Sequence, residues 1–326
     1  MSQRIPEETI QDVLHRADMV DVIGDYVLLQ QRGANAKGLC PFHQEKTPSF
    51  TVNPAKGLFY CFGCQASGNV IRFLMQHDNL TFPEAVRLLA ERYGVRLPES
   101  GSSPPQAALH ELYSLHQAAT AFFQHCLQRH PAAQAVRTYC RQRQLSPEVV
   151  TRFGLGYAPQ AWEALWQEMQ RQGFAQELLL RSGLVVARDH RSGVYDRFRH
   201  RLIFPIHDRQ GRPIAFGGRD LEGAEASHTP KYLNSPETPI FQKNRTLYGF
   251  HVAKSAIRQQ GRAILVEGYT DVIACHRQGV THVLGTLGTA LTETHVGMLR
   301  GLTKEVILVF DADAAGGAAT ERAIGL

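Results

Sequence analysis

Apolar positions recur at two periods along the chain, and the switches between them outline its parts. Over Asn69–His77 and Phe82–Tyr93 they return every three or four residues, the spacing of a helix with one buried face. Thr81 with Glu84 forms a capping box at the start of the second. A first helix is expected from Pro6 through Glu7, Glu8 and Leu14, because proline suits a first helical turn. Between these helices lie short β-like pieces, Tyr26–Gln30, Gly38–Cys40, Ser49–Val52 and Leu58–Cys61, set apart by the turn formers Gly33, Asn35, Asn53-Pro54 and Gly57. Helical periods return over 106–129, 132–143, 146–152 and 161–172. Arg201–His207 and Arg212–Gly218 then alternate around Asp208-Arg-Gln-Gly211, a hairpin signal. From Ala263 the pattern becomes short apolar runs, Ala263–Val266, His282–Gly285 and Val306–Phe310, with helical segments between them. That alternation predicts a parallel α/β sheet.

One set of residues adds chemistry to the first of these parts. Cys40-Pro-Phe-His43 is followed by 17 residues and then Cys61-Phe-Gly-Cys64. Two ligand pairs, each with a two-residue gap, are what a tetrahedral Zn²⁺ site needs, and three thiolates with one imidazole favour zinc over magnesium or calcium. The short strands around the pairs then make a zinc ribbon. The tract Leu97-Pro-Glu-Ser-Gly-Ser-Ser-Pro-Pro105 has linker composition. The chain therefore reads as a multidomain protein of α+β and α/β parts: a zinc-ribbon module over 1–96, a linker over 97–105, a mixed α+β basic subdomain over 106–260 and an α/β domain over 261–326.

Composition narrows the class. The hydrophobic fraction of 43% and charged fraction of 20% are those of a globular protein rather than a disordered one. No apolar run approaches the ~20 residues of a membrane span, and the N-terminus has no apolar signal region. Six cysteines, three of them in the ligand pattern, fit a reducing compartment, so a cytoplasmic protein is expected. Cys126, Cys140 and Cys275 read as small core residues. The net charge of +5 is uneven: residues 181–219 hold nine arginines and three aspartates, a net +6 that leaves −1 elsewhere. Such a basic stripe is the footprint of a phosphate-backbone partner.

Acidic residues gather where the α/β pattern places strand ends. Glu267 closes Ile264-Leu-Val-Glu267, and Asp311 and Asp313 follow Val306–Phe310. Sites in open α/β sheets form at the carboxyl ends of strands. If the two strands are neighbours, three carboxylates converge, and their repulsion calls for Mg²⁺ or Mn²⁺. Asp271 lies one helical turn beyond Glu267. Strand-end aspartates also cap the helices that follow them, and either motif alone fits that role equally well.

These segments together resemble the bacterial replicative (DnaG-type) primases. Cys40-Pro-Phe-His43 with Cys61-Phe-Gly-Cys64-Gln-Ala-Ser-Gly68 is similar to their zinc module. Arg197–Ile206, Gly217-Gly-Arg219, Pro230–Thr238 and Leu247-Tyr-Gly249 are similar to their RNA-polymerase core. Val266–Asp271, Gly285–Thr292 and Phe310-Asp-Ala-Asp313 are similar to their Toprim domain, a Rossmann-like parallel α/β fold. The resemblance runs over nearly the whole chain in the family's order. It implies synthesis of short RNA primers on a single-stranded DNA template from ribonucleoside triphosphates, through an RNA–DNA hybrid product. It implies that Glu267, Asp311 and Asp313 hold magnesium, and that Arg199, Arg201, Lys231, Tyr232, Asn234 and Lys243 contact template or nucleotide, with Arg199 and Arg201 sharing one strand face. Tyr60 and Phe62 beside Cys61 either stack on template bases or pack around the zinc. A monomer is expected.

The same resemblance implies what these 326 residues lack. The family carries a further acidic pair beyond the Asp-x-Asp and a C-terminal helicase-binding domain, and neither has a counterpart here. A fragment is therefore expected, with template binding but uncertain synthesis. Two other functions fit parts of the pattern: a non-catalytic zinc-dependent single-stranded DNA-binding protein, and a Toprim topoisomerase or nuclease with Tyr269 as nucleophile. The Ser/Gly/Pro tract predicts that limited proteolysis cuts between residues 96 and 106 and releases a stable zinc module, readable by intact mass.

Overall fold

The computed structural model describes residues 5–77, 80, 82–95, 104–188, 193–221 and 230–325. Packing divides the chain into two units, Met1–Ala107 with Val296–Glu305, and Ala108–His295 with Val306–Leu326. No helix among the described residues is long and apolar enough to cross a membrane.

The first unit contains helices α1 (Glu7–Arg16) and α2 (Met19–Gly24), strands β1 (Gln30–Arg32), β2 (Asn35–Gly38), β3 (Phe50–Asn53), β4 (Leu58–Cys61) and β5 (Ser67–Gly68), then α3 (Val70–His77) and α4 (Phe82–Arg92). The strands form an antiparallel meander in the order β1-β2-β3-β4-β5. Its register explains the alternation in the sequence. Rows Ala36–Val52–Phe59 and Gly38–Phe50–Cys61 lie on the buried face, while Lys37–Thr51–Tyr60 lies on the open one. On the buried face Phe50 stacks on Phe59 at 5.2 Å, and Phe73 of α3 meets Phe59 edge-on at 5.6 Å. Each such buried phenylalanine contributes about 1.5–3 kcal/mol by removal from water.

Several expectations shift here. Only Gln30 of the expected strand Tyr26–Gln30 is in a strand; the amides of Tyr26 and Val27 instead close the end of α2 on the Ile23 carbonyl, both at 2.9 Å. Helix α2 has no counterpart among the expected elements. The Asp18 carboxylate starts that helix, accepting from the amides of Val20 at 2.8 Å and Asp21 at 3.0 Å. β2 ends at Gly38, leaving Cys40 in the turn beyond it. Thr81 of the expected capping box lies outside the described residues, as do 97–103 of the linker tract. Helix starts at Pro104, inside the expected linker.

The second unit begins with α5 (Pro104–Arg129), α6 (Gln134–Gln142) and α7 (Pro147–Arg152). Strand β6 (Gly156–Ala158), α8 (Ala164–Arg171), α9 (Gln176–Arg181) and the paired strands β7 (Val185–Ala187) and β8 (Val194–Asp196) follow. The hairpin appears as β9 (Arg201–His207) and β10 (Pro213–Asp220), its turn held by the Asp208 carboxylate, which accepts from the amides of Gln210 and Arg212 at 3.0 and 2.9 Å. With β11 (Tyr232–Asn234) and β6 it makes an antiparallel sheet in the order β11-β10-β9-β6. Then come α10 (Phe250–Gln260), β12 (Arg262–Val266), α11 (Tyr269–Arg277), β13 (Val283–Gly285), α12 (Glu293–Arg300), β14 (Glu305–Leu308) and α13 (Ala314–Ile324), of which Val296–Glu305 belong to the first unit. β12 lies between β13 and β14 and runs parallel to β13.

β9 and β10 are buried on both faces, which is why their sequences are apolar nearly throughout. On one face α5 brings His116 flat against Phe216 at 5.7 Å and Phe123 edge-on at 5.3 Å. On the other, Tyr269 of α11 stacks on Phe204 at 5.3 Å. Residues of both sheets, among them Leu202, Phe204, Val266 and Val283, share one core with Tyr269 of α11.

Three histidines in this unit are held neutral. Burial lowers His116 and His207 to about 4, and burial beside His207, Lys254 and His276 lowers His251 to about 3. Each takes up a proton near pH 6.5 once unfolded, so the stability they contribute is complete above about pH 6.5 and is lost as pH falls toward 4. Urea unfolding should show the parent losing ~2 kcal/mol more between pH 7 and pH 5 than His116→Leu does.

Candidate metal centre and acidic strand edge

The turn after β2 and the turn after β4 bring Cys40, His43, Cys61 and Cys64 together, with one ligand atom from each lying within 4.8 Å of all the others. The Cys40 and Cys64 sulfurs are 3.7 Å apart, and the Cys61 sulfur is 3.8 Å from Nδ1 of His43. A tetrahedron with metal–sulfur bonds of about 2.3 Å has edges of about 3.8 Å, so the set is shaped for zinc with all four positions filled by protein. Backbone amides support the sulfurs: Phe42 donates to Cys40 and Cys64 donates to Cys61, each at 3.4 Å. Burial pushes the Cys40 thiol up to about 12. Burial would raise Cys61 as well, but the Ser49 hydroxyl and the amides of Cys64 and Gly63 outweigh it and bring Cys61 to about 7. Zinc binding must displace the remaining protons, so affinity falls with pH.

One contributor to this centre was not found by sequence reasoning. Glu45 lies between the ligand pairs, its side chain only 9% exposed, with Oε2 at 3.3 Å from Nε2 of His43. Its Oε1 accepts from the amides of Cys40 at 2.7 Å and Ser49 at 3.1 Å, and the Ser49 hydroxyl donates to its Oε2. Burial raises the Glu45 pKa, yet these donors together lower it below the ordinary carboxylate value.

The acidic residues sit at a second place. β12 and β14 are neighbours, and Glu267 follows the end of β12. Its Oε1 accepts the amide of Asp311 at 2.9 Å, tying the two strand ends together. Gly316 makes this approach possible, since a Cβ there would stand 2.0 Å from the Asp311 carbonyl oxygen and 3.0 Å from Glu267 Oε1. Asp313 caps α13, with Oδ1 accepting from the Gly316 amide at 2.8 Å. Burial raises the Asp271 pKa, and the negative charge of Asp311 raises it further. The carboxylates thus share one edge, but among the described residues no second set of three ligands is as close as the cysteine–histidine set.

The basic residues are arranged differently from the expected groove. Arg199 and Arg201 do not share a strand face, because His200 takes a positive φ of 51° and breaks the alternation before β9 begins. Arg201 is 4% exposed and donates to the carbonyls of Gly218 at 3.1 Å and Pro230 at 3.0 Å, with Asp220 at 3.9 Å. It is a core residue, not a groove residue. Arg199 donates to the Asp196 carbonyl and lies over the rings of Trp162 at 4.3 Å and Tyr195 at 5.0 Å. Lys231 is exposed. The Tyr232 hydroxyl accepts from Arg219 at 2.6 Å, which adds Arg219 to this surface. The Asn234 oxygen accepts from the Tyr269 hydroxyl at 2.6 Å, and its amide nitrogen donates to the Leu287 carbonyl at 3.2 Å. Lys243 is held by its backbone, its amide donating to Glu237 at 3.2 Å and its carbonyl accepting from Nε2 of His295 at 3.1 Å. Tyr269 is buried and burial raises its pKa, so it is not a free nucleophile.

Family models match residues 5–104 as a CHC2 zinc finger, 122–254 as the N-terminal domain of the DNA primase catalytic core, and 261–326 as a Toprim domain. The chain is 46% identical to the DNA primase of Halalkalibacterium halodurans over 328 residues, covering 100% of this chain and 54% of that protein. It is 43% identical to the DNA primase of Escherichia coli K12, covering 99% and 55%. The chain thus spans little more than half the length of these curated relatives. The crystal structure of the zinc-binding and RNA polymerase domains of the Aquifex aeolicus primase matches with a TM-score of 0.62 at 34% identity, over 97% of this chain and 75% of that one. A structure of the DnaG primase catalytic domain bound to single-stranded DNA matches with a TM-score of 0.60 at 40% identity, over 67% and 66%.

The burial of Arg201 carries a test. Arg201→Ala removes a donor from two carbonyls and the positive charge that faces Asp220, so it should destabilise the second unit by about 3 kcal/mol in urea unfolding. Arg219→Ala, at a half-buried position, should cost much less.

Proposed function

This chain belongs to the bacterial DNA primase family, and we propose from that premise that it is the zinc-binding and nucleotidyl-transfer part of an enzyme that lays RNA primers on single-stranded DNA. The observation that carries this reading is the hydrogen bond that joins Glu267 to Asp311 across two neighbouring strand ends, within the segment matched as Toprim. Ribonucleoside triphosphates would be the substrates and an RNA–DNA hybrid the product. A replicative helicase would be a further partner, through residues other than these, and the protein would work in the bacterial cytoplasm.

The donor set at the edge consists of carboxylate oxygens, which suits Mg²⁺ or Mn²⁺ and fits neither zinc nor copper well. When bound, such an ion would neutralise charge on the transferred phosphoryl group and the leaving pyrophosphate. Glu267 and Asp313 each have one oxygen fixed by a backbone amide, which leaves the other oriented for an ion or a proton. In the transfer, a ribose 3′-oxygen forms a bond to the α-phosphorus and the bond to pyrophosphate breaks. The 3′-hydroxyl proton goes to a base at this edge, and Glu267 is the group we assign to accept it. Burial and the charge of Asp311 raise the Asp271 pKa, and a cation bound at this edge would lower it again.

Lys231, Arg219 with Tyr232, and Lys243 are the basic groups we assign to template or nucleotide. Asn234 acts at one remove, by fixing Tyr269. On the zinc module the open sheet face carries Lys37, Tyr60 at 41% exposure and Phe62 at 70%. Tyr60 and Phe62 meet edge-on at 4.8 Å. Exposed aromatics beside a cation are a stacking platform for single-stranded bases, a role that packing around zinc does not require of them. The topoisomerase reading has no support, because the Tyr269 hydroxyl is committed to Asn234.

Ribonucleotide incorporation on a single-stranded template with Mg²⁺ tests the assignment, in a protein of the relatives' length that carries these residues. Glu267→Gln and Asp311→Asn should each lower incorporation by roughly 10²-fold or more while template affinity, read by fluorescence anisotropy, stays within a few-fold. Incorporation near the parent rate in both variants would overturn it.

A further inference from the structure

Glu45 touches more of the zinc centre than a neighbouring carboxylate needs to. Its two oxygens reach three of the four ligand residues by different routes. Oε2 faces Nε2 of His43 at 3.3 Å, while Nδ1 of the same ring faces the sulfurs. Oε1 accepts the backbone amide of Cys40 at 2.7 Å. Ser49 links the carboxylate to the third ligand, since its hydroxyl contacts Glu45 and lies 3.2 Å from the Cys61 sulfur. The Ser49 amide closes the ring of contacts on Oε1 at 3.1 Å.

The physical consequence follows from how a histidine binds a metal. Only one tautomer presents a lone pair from Nδ1, and a carboxylate at Nε2 selects it by accepting the other proton and fixing the ring plane. The amide contact sets where the Cys40 turn begins. The hydroxyl, its one proton directed at Glu45, fixes where the Cys61 sulfur sits. All three act before the metal arrives, so the ligands need less rearrangement to close around it.

We propose that Glu45, acting directly and through Ser49, is the positioning residue of the zinc centre and governs how tightly the chain holds its metal. This inference rests on the zinc reading of the four ligands, not on primer synthesis. A glutamine in its place keeps the volume and can still accept from the Cys40 amide. With its one oxygen on the Cys40 amide, its nitrogen replaces the oxygen that served both His43 and the Ser49 hydroxyl, so both of those contacts are lost.

The test is zinc competition against a colorimetric chelator, with the parent chain, Glu45→Gln, Ser49→Ala and the double variant. Glu45→Gln should weaken zinc binding by roughly 10- to 100-fold, and Ser49→Ala by a smaller factor. In the double variant the serine change should cost less than it does in the parent, because its route through Glu45 is already broken. The Co²⁺-substituted Glu45→Gln protein should keep a tetrahedral ligand-field spectrum, since all four ligands remain. Zinc affinity within twofold of the parent would overturn the proposal. So would loss of the cobalt spectrum together with far-UV ellipticity, which would make Glu45 a folding residue only. A parent chain that holds no zinc would overturn the reading beneath it instead.

Discussion

The second unit depends on one contact, the ring of Tyr269 against the backbone of Gly217. A Cβ at Gly217 would stand 2.6 Å from that ring, so the antiparallel sheet and the first helix of the parallel one can meet only over a glycine. Once there, the ring stacks on Phe204 at 5.3 Å and takes Tyr248 edge-on at 4.7 Å. Its hydroxyl donates to Asn234, which in turn donates to the Leu287 carbonyl. Truncating a side chain packed in this way costs about 3–5 kcal/mol. The functional consequence is positional. Tyr269 opens the helix that follows Glu267, so the contact that joins the sheets also fixes the acidic edge relative to Tyr232 and Arg219.

The zinc ligands and the strand-end carboxylates lie in two kinds of environment. The sulfur and imidazole ligands come from tight turns whose amides point at the sulfurs, and they close on one another without leaving room for a substrate. A site of that shape stabilises a small sheet that would otherwise have too few buried residues. The carboxylates sit at open strand ends, where Glu267 and Asp313 each place one oxygen on a backbone amide. Among the described residues they do not draw together as closely as the sulfurs and imidazole do.

Much of this was legible in the sequence. Ligand spacing revealed the zinc set because the metal's geometry acts over a few residues, and strand-end carboxylates were visible because apolar runs announce where strands stop. The hairpin appeared where Asp208 and Gly211 placed it. What escaped were contacts made over long distances or by single backbone angles. Arg201 reads as a groove residue only if alternation continues through His200, and one positive φ ends it. Helix α8 looked longer in the periodicity because its true start is set by Asp196, which accepts from the amides of Leu165 and Trp166 from 31 and 30 residues away. Glu45 escaped because a carboxylate two residues beyond a ligand has no distinctive spacing; its position among metal ligands was the only available signal.

The sequence left open whether the strand-end aspartates cap helices or hold a cation, and Asp313 shows why these are not alternatives. A carboxylate has two oxygens, and a backbone amide occupies one. An oxygen fixed in this way costs the chain no further side-chain freedom when an ion is recruited to its neighbour. Glu267 repeats the arrangement with the amide of Asp311. Glu45 repeats it again beside the zinc, where the amides of Cys40 and Ser49 hold one oxygen and the other addresses a ligand. In each case a backbone N–H holds one carboxylate oxygen and leaves the other free to take a second partner. A cap therefore commits only half of a carboxylate, and finding one does not argue against a metal.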